Sequence, residues 1–121
     1  MRKLCVFLAS FALCCCSKPV DIDMYQAFRN PDNTCRPSVR WWWNGDKLSE
    51  KEILRELDIM QAAGIGGVEI NPIRFPDSSD SIGIRTLEWL SPEWIGMLKV
   101  AMDGCEERGM TCDMIVGSGW P

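Results

Sequence analysis

The chain predicts an α/β fold built on parallel strands, and three observations carry that reading. Segments with strand character alternate with segments of helical period, in the order strand, helix, strand, loop, helix, strand. Each helical segment opens on a serine suited to N-capping and closes on a glycine, Ser49 with Gly64 and then Ser91 with Gly109. The links from helix to strand are short and those from strand to helix are long. That asymmetry belongs to α/β folds whose functional groups gather at the C-terminal ends of the strands. Strands that alternate with helices pair in parallel through right-handed crossovers.

The elements follow in order. Ser17 to Asp32 is a polar tether with Pro19 and Pro31 and one helical turn around Met24, Tyr25 and Phe28. Arg36-Pro37-Ser38 opens a first strand, Val39 to Trp43, and Asn44-Gly45 is the turn that ends it. Ser49-Glu50-Lys51-Glu52 has the form of a capping box. Ile53, Leu57, Met60 and Gly64 then recur at helical spacing. Gly66-Gly67 leads into a short strand, Val68 to Asn71, stopped by Pro72. The stretch from Pro72 to Leu90 is rich in Asp, Ser and Gly. It exceeds the roughly 12–15 residues beyond which loops are usually functional or disordered. Ser91-Pro92 starts a second helix, with Trp94, Leu98, Ala101 and Cys105 as its buried stripe. Cys112 to Val116 is a third strand, interrupted by Asp113, and Gly117-Ser118-Gly119-Trp120 follows it.

Three consecutive tryptophans occupy the first strand. Side chains alternate along a strand, so Trp41 and Trp43 share one face and Trp42 takes the other. A flat amphipathic aromatic beside the Asn44 amide suits a ligand with an apolar face and a rim of hydroxyls, as a sugar has. Packing of all three indoles is the competing reading.

Composition narrows the field. A net charge of −4 and no basic cluster beyond the first residues argue against nucleic acid as a partner. The chain has no histidine, which excludes a His-ligated zinc site and a Ser-His-Asp triad from its own residues. Arg2 and Lys3 precede an apolar run, Leu4 to Leu13, far shorter than the about 20 residues that span a bilayer but suited to a signal-peptide core. The run ends in Leu13-Cys14-Cys15-Cys16 and resembles a bacterial lipoprotein signal, with Cys16 as the lipidated residue and Cys14 or Cys15 as alternatives. An ordinary secretory signal is also open. The expectation is an exported lipoprotein of the outer membrane, periplasm or cell surface, held to the membrane by its lipid anchor. Of the seven cysteines, Cys35, Cys105 and Cys112 lie beyond the signal. An odd number excludes a complete disulfide framework, and buried free thiols are expected.

The turn after the first strand carries no glycine-rich phosphate loop, and the glycines at 64, 66 and 67 precede a strand rather than a helix. A barrel explains more than a nucleotide-binding sheet. The expected fold is therefore a partial (β/α)8 TIM barrel, its first three strands and two helices. Signal 1–16, tether 17–35 and barrel part 36–121 are the expected divisions. The strand ends then present Asn44, Glu69 with Asn71, and Ser118-Gly119-Trp120.

These residues carry a resemblance. Arg36-Pro37, Trp41-Trp42-Trp43-Asn44-Gly45, Ala63-Gly64-Ile65-Gly66-Gly67-Val68-Glu69-Ile70, Leu90-Ser91-Pro92-Glu93-Trp94 and Gly117-Ser118-Gly119-Trp120 come in that order. Together they resemble the start of glycoside hydrolase family 106, from about Phe28 to Pro121. The resemblance implies an N-terminal part of an α-L-rhamnosidase-like enzyme acting on plant-type polysaccharides. The remainder of the barrel, with its catalytic acid and base, would lie outside this sequence, so the fragment alone is expected to be inactive. It also implies calcium in the full-length family. No acidic cluster with calcium-loop spacing occurs here, and no cofactor is evident. The family often has histidines in the tryptophan-rich segment and before the last Gly-Trp, where this chain has tryptophan and Val116-Gly117-Ser118.

The candidate substrate-binding residues are Trp42, Trp43, Asn44, Glu69, Asn71 and Trp120. Glu69 is also a weak catalytic candidate. Flanked by Val68 and Ile70, it points to the opposite face, where a lone carboxylate is costly unless paired or used. Asn44 and Asn71 equally suit turn-shaping roles. Ser118 has no base in sight. Trp89 and Trp94 read as packing residues, and Asp46, Asp77 and Asp80 as solvated turn residues. Two other classes stay open: a non-catalytic surface glycan-binding lipoprotein, and a truncated gene product without function.

Overall fold

A computed structural model describes residues 22–74 and 83–115. Cys16, Asp77, Asp80, Ser118 and Trp120 lie outside the described residues. A one-turn-and-a-half helix, α1 (Met24–Arg29), is capped by the Asp23 carboxylate and buries no side chain. A short 3-10 turn, Asn33–Cys35, leads into β1 (Ser38–Asn44), followed by α2 (Glu50–Ala62), β2 (Gly67–Ile73), α3 (Pro92–Glu107) and β3 (Thr111–Met114). The strands form a parallel sheet in the order β1-β2-β3. The α/β class expected from the alternation is therefore observed.

Local chemistry explains where the helices begin and end. Ser49 and Ser91 accept hydrogen bonds from the backbone N–H of Glu52 and Trp94, and Pro92 fills the first position of α3, where no N–H is needed. Both helices close in the same way. Gly64 N–H donates to Gln61 and Ile65 N–H to Met60, and Gly109 and Met110 repeat the pair with Glu106 and Cys105. These are Schellman turns, and their glycines take φ +85° and +62°, where a side chain would be strained. Each turn hands the chain directly to the next strand, which is why those links are short.

Three sequence expectations change. β2 runs through Pro72 to Ile73 instead of stopping at proline. The Ile73 carbonyl accepts from Gly45 on the β1 side, and the Ile70 carbonyl accepts from Ile115 on the β3 side. Pro72 shares the parity of Ile70, so its missing N–H faces past the last β3 pair, Ile70–Met114, and costs no bond to β1. Cys35, expected to be buried, is exposed on a turn that buries nothing. Asp46, expected to be solvated, is half-buried, for the reason given below.

The core fills the space between sheet and helices. Trp41, Trp43, Val68 and Ile70 meet Ile53 and Leu57 of α2 and Trp94, Ala101 and Cys105 of α3. The helices approach each other at Gly104, where an added Cβ would fall 2.9 Å from the methyl groups of Leu54 and Leu57. At the N-terminal end of the sheet the Asn33 side-chain amide donates to the carbonyls of both Gly66 and Gly109. It thereby ties together the two loops that feed β2 and β3. Among the described residues no helix is long and apolar enough to cross a membrane.

Candidate functional site

Alternation gives the sheet two unlike faces. On the helix side, the Trp41 indole donates to Glu56 of α2 at 2.5 Å. Trp43 is 2% exposed and packs edge-on between Trp41 and Trp94, at ring separations of 5.7 and 5.6 Å. Trp89 continues this row against Trp94 at 4.5 Å. Trp43 thus sits in the packed core, along with Trp89 and Trp94.

The other face carries the polar residues, arranged in rows by the strand register. Arg40 lies beside Glu69, and Glu69 beside Asp113. The next row, nearer the C-terminal ends, places Trp42 beside Asn71; Asn44 and Ile73 form the last. Arg40 Nε donates to Glu69 Oε2 at 2.7 Å, and its guanidinium carbon lies 5.9 Å from the centre of the Trp42 ring. One arginine therefore orients both an acidic acceptor and an indole. Glu69 is not a lone carboxylate: it pairs with Arg40, and with the two side chains 41% and 37% exposed the pair lies at the surface, where the cost expected for a buried charge does not arise.

Trp42 keeps 42% of its surface exposed, whereas Asn71 beside it is 2% exposed. The Asn71 Nδ2 has no hydrogen-bond partner among the described residues. A buried amide donor without an acceptor costs roughly 1–3 kcal/mol. The Trp43 indole N–H, in the packed core, is unpaired in the same way. The exposed Trp42 indole beside the Asn71 amide offers an apolar surface of the kind that the C–H face of a pyranose covers.

The rim is held by a clasp between two loops. Asn44 is exposed at the end of β1, and Gly45 and Asp46 follow it with φ of 65° and 49°. Asp46 Oδ1 accepts from the Trp94 indole at 2.9 Å, and its carbonyl accepts from Leu87 N–H at 2.9 Å. Lys47 Nζ donates to the Ile84 carbonyl at 2.8 Å. Partial burial raises the Asp46 carboxyl above its ordinary range, while the Trp94 hydrogen bond acts in the opposite direction.

Comparison with known proteins agrees with the resemblance. A family model for glycoside hydrolase family 106, described as alpha-L-rhamnosidase, matches residues 29–121. The chain belongs to glycoside hydrolase family 106. A rhamnosidase from Novosphingobium sp. PP1Y has a similar structure, with a TM-score of 0.72 and 25% sequence identity over 79% of this chain. The family 106 chain described here spans 9% of that rhamnosidase. No curated protein matches it significantly.

Of the residues singled out by sequence, the sheet brings Trp42, Asn44, Glu69 and Asn71 of this family 106 chain to one face. It puts Trp43 on the other. Arg40 was missed, although its position two residues before Trp42 already places it on the same face. The described residues do not fit a calcium site: Glu69 is taken by Arg40, and no group of three or more His, Cys, Asp or Glu among them is placed to hold a metal ion.

Proposed function

We propose that this chain supplies one wall of the sugar site of a glycoside hydrolase acting on α-L-rhamnosides, as part of a (β/α)8 barrel. Membership of family 106 supports a carbohydrate substrate. The observation that carries the site is the Trp42–Asn71 pair, an open indole beside a buried amide whose donor is unused. Trp42 packs against the apolar face of the sugar, Asn71 donates to a ring hydroxyl, and Asn44 both donates and accepts at the rim. Arg40 and Glu69 fix the floor beneath them.

Hydrolysis of a glycosidic bond uses two carboxyl groups, one protonating the leaving oxygen and the other assisting attack on the anomeric carbon. Glu69, held by Arg40, is assigned to binding, and both catalytic carboxyls are assigned to strands beyond this sequence. On this reading the 121-residue chain binds sugar but does not hydrolyse it. The test is titration of the chain with L-rhamnose, followed by tryptophan fluorescence and by protein NMR, beside an assay with an aryl α-L-rhamnoside. Saturable binding lost in Trp42→Ala, with no release of the aryl group, is expected. Turnover abolished by Glu69→Gln would overturn the assignment of Glu69, and absence of sugar binding would overturn the site. We also assign the lipid anchor to Cys16 on sequence grounds. Its check is the mass of the N-terminal peptide from membranes, which should carry acyl chains on that residue.

A further inference from the structure

Asn44 is exposed at the C-terminus of β1, so the turn that follows it sets where its amide stands. Three elements hold that turn. Gly45 N–H donates to the Ile73 carbonyl of β2 at 2.6 Å. Leu87 N–H donates to the Asp46 carbonyl, and the Trp94 indole of α3 donates to Asp46 Oδ1, both at 2.9 Å. The anchor is rigid, because Trp94 is 0% exposed and packs edge-on against Trp43 and Trp89. Among the described residues, two that are not glycine have a left-handed backbone, Asp46 at φ 49° and Leu90 at φ 59°. One lies in each of the two loops so joined. Such a backbone is uncommon outside glycine, and it persists where surrounding contacts hold it.

We propose that Asp46 and Trp94 are positioning residues for the sugar site: their hydrogen bond holds Asn44 where it meets the hydroxyl rim of a sugar stacked on Trp42. This rests on the sugar site proposed above. Neither residue touches the sugar. Trp94 belongs to the core on the helix side of the sheet, and the Asp46 carboxylate is bonded to it there. Both act through the two-residue step from Asp46 back to Asn44. Breaking the bond removes one of the restraints that keep Asp46 left-handed, and Asn44 loses its fixed place. Binding and clasp are then linked in both directions. A sugar that needs Asn44 in place favours the closed clasp by the same factor by which the clasp favours the sugar.

Trp94→Phe tests the bond, because it keeps an aromatic ring in the core and removes the N–H donor. Rhamnose affinity of the full chain is measured by protein NMR below the melting transition, so that only folded chain is compared. Trp94→Phe and Asp46→Ala should each bind about three- to tenfold more weakly than the parent, the factor that one displaced hydrogen bond supplies. Asp46→Asn keeps an acceptor oxygen and should bind as the parent does. In an Asn44→Ala background, Trp94→Phe should weaken binding no further, since the two changes act through one contact. Rhamnose should also slow hydrogen exchange at the Gly45 and Leu87 amides of the parent. A bond that served the fold alone would change the melting temperature and leave affinity as it was. Unchanged affinity in Trp94→Phe, an equal loss in the Asn44→Ala background, or exchange at Gly45 and Leu87 untouched by bound rhamnose would each overturn the proposal. A parent chain that binds no rhamnose would instead overturn the sugar site on which the proposal rests, and the proposal with it.

Discussion

Trp94 donates its indole N–H to the Asp46 carboxylate at 2.9 Å, so the first helical turn of α3 is fastened to the turn that leaves β1. The bond crosses between two βα units at the end of the sheet where Trp42, Asn44 and Asn71 stand. Trp94 itself is 0% exposed, so loss of its acceptor would leave a buried donor unpaired.

Replacing Asp46 separates these effects. Asp46→Asn keeps an acceptor oxygen and removes a partly buried charge, so at neutral pH it should match or exceed the parent in urea denaturation. Asp46→Ala strands the Trp94 N–H and should cost about 1–3 kcal/mol.

The same carboxyl gives a pH signature. Burial raises its folded-state value, so between the unfolded and folded values the folded chain binds more protons than the unfolded one. The contribution of Asp46 to stability is then largest below that window and is lost as pH rises through the folded value. Stability of the parent relative to Asp46→Asn should fall as pH rises from about 3 to 7, measured by urea titrations at each pH.

Neighbouring tryptophans should behave in opposite ways. Trp43→Ala removes a buried indole and should cost about 3–5 kcal/mol. Trp42→Ala should change stability far less and should abolish sugar binding. Chemical denaturation and rhamnose titration of both variants check the contrast.

Asn71 should be functional at the expense of stability. Its Nδ2 is buried without a partner among the described residues, so Asn71→Leu removes an unsatisfied donor and should leave stability unchanged or raised by about 1 kcal/mol, with sugar binding lost. A large loss of stability would instead show that the amide serves the fold.

Much of this was legible in the sequence because it rests on local rules. Ser49, Ser91, Gly64 and Gly109 marked both helices within a residue or so, since caps and Schellman turns depend on nearby backbone groups alone. The period of two placed Trp42 opposite Trp43 without any structure. What escaped depended on partners distant in sequence. Nothing near Asp46 reveals that Trp94 will bury it, and Pro72 reads as a strand breaker until its orientation toward β3 is known. Glu69 looked unpaired because Arg40 belongs to a different strand, although both lie on the faces that alternation assigns.

Asn33 joins the loops before β2 and β3 with a single side chain, at the end of the sheet opposite the candidate sugar site. Substitutions among Trp42, Asn44 and Asn71 therefore act on residues that neither cap a helix nor anchor a strand entry. For the proposed sugar site, this separation makes the rim evolvable: sugar preference could drift by exchanging side chains there, while the opposite end keeps the βα units in step.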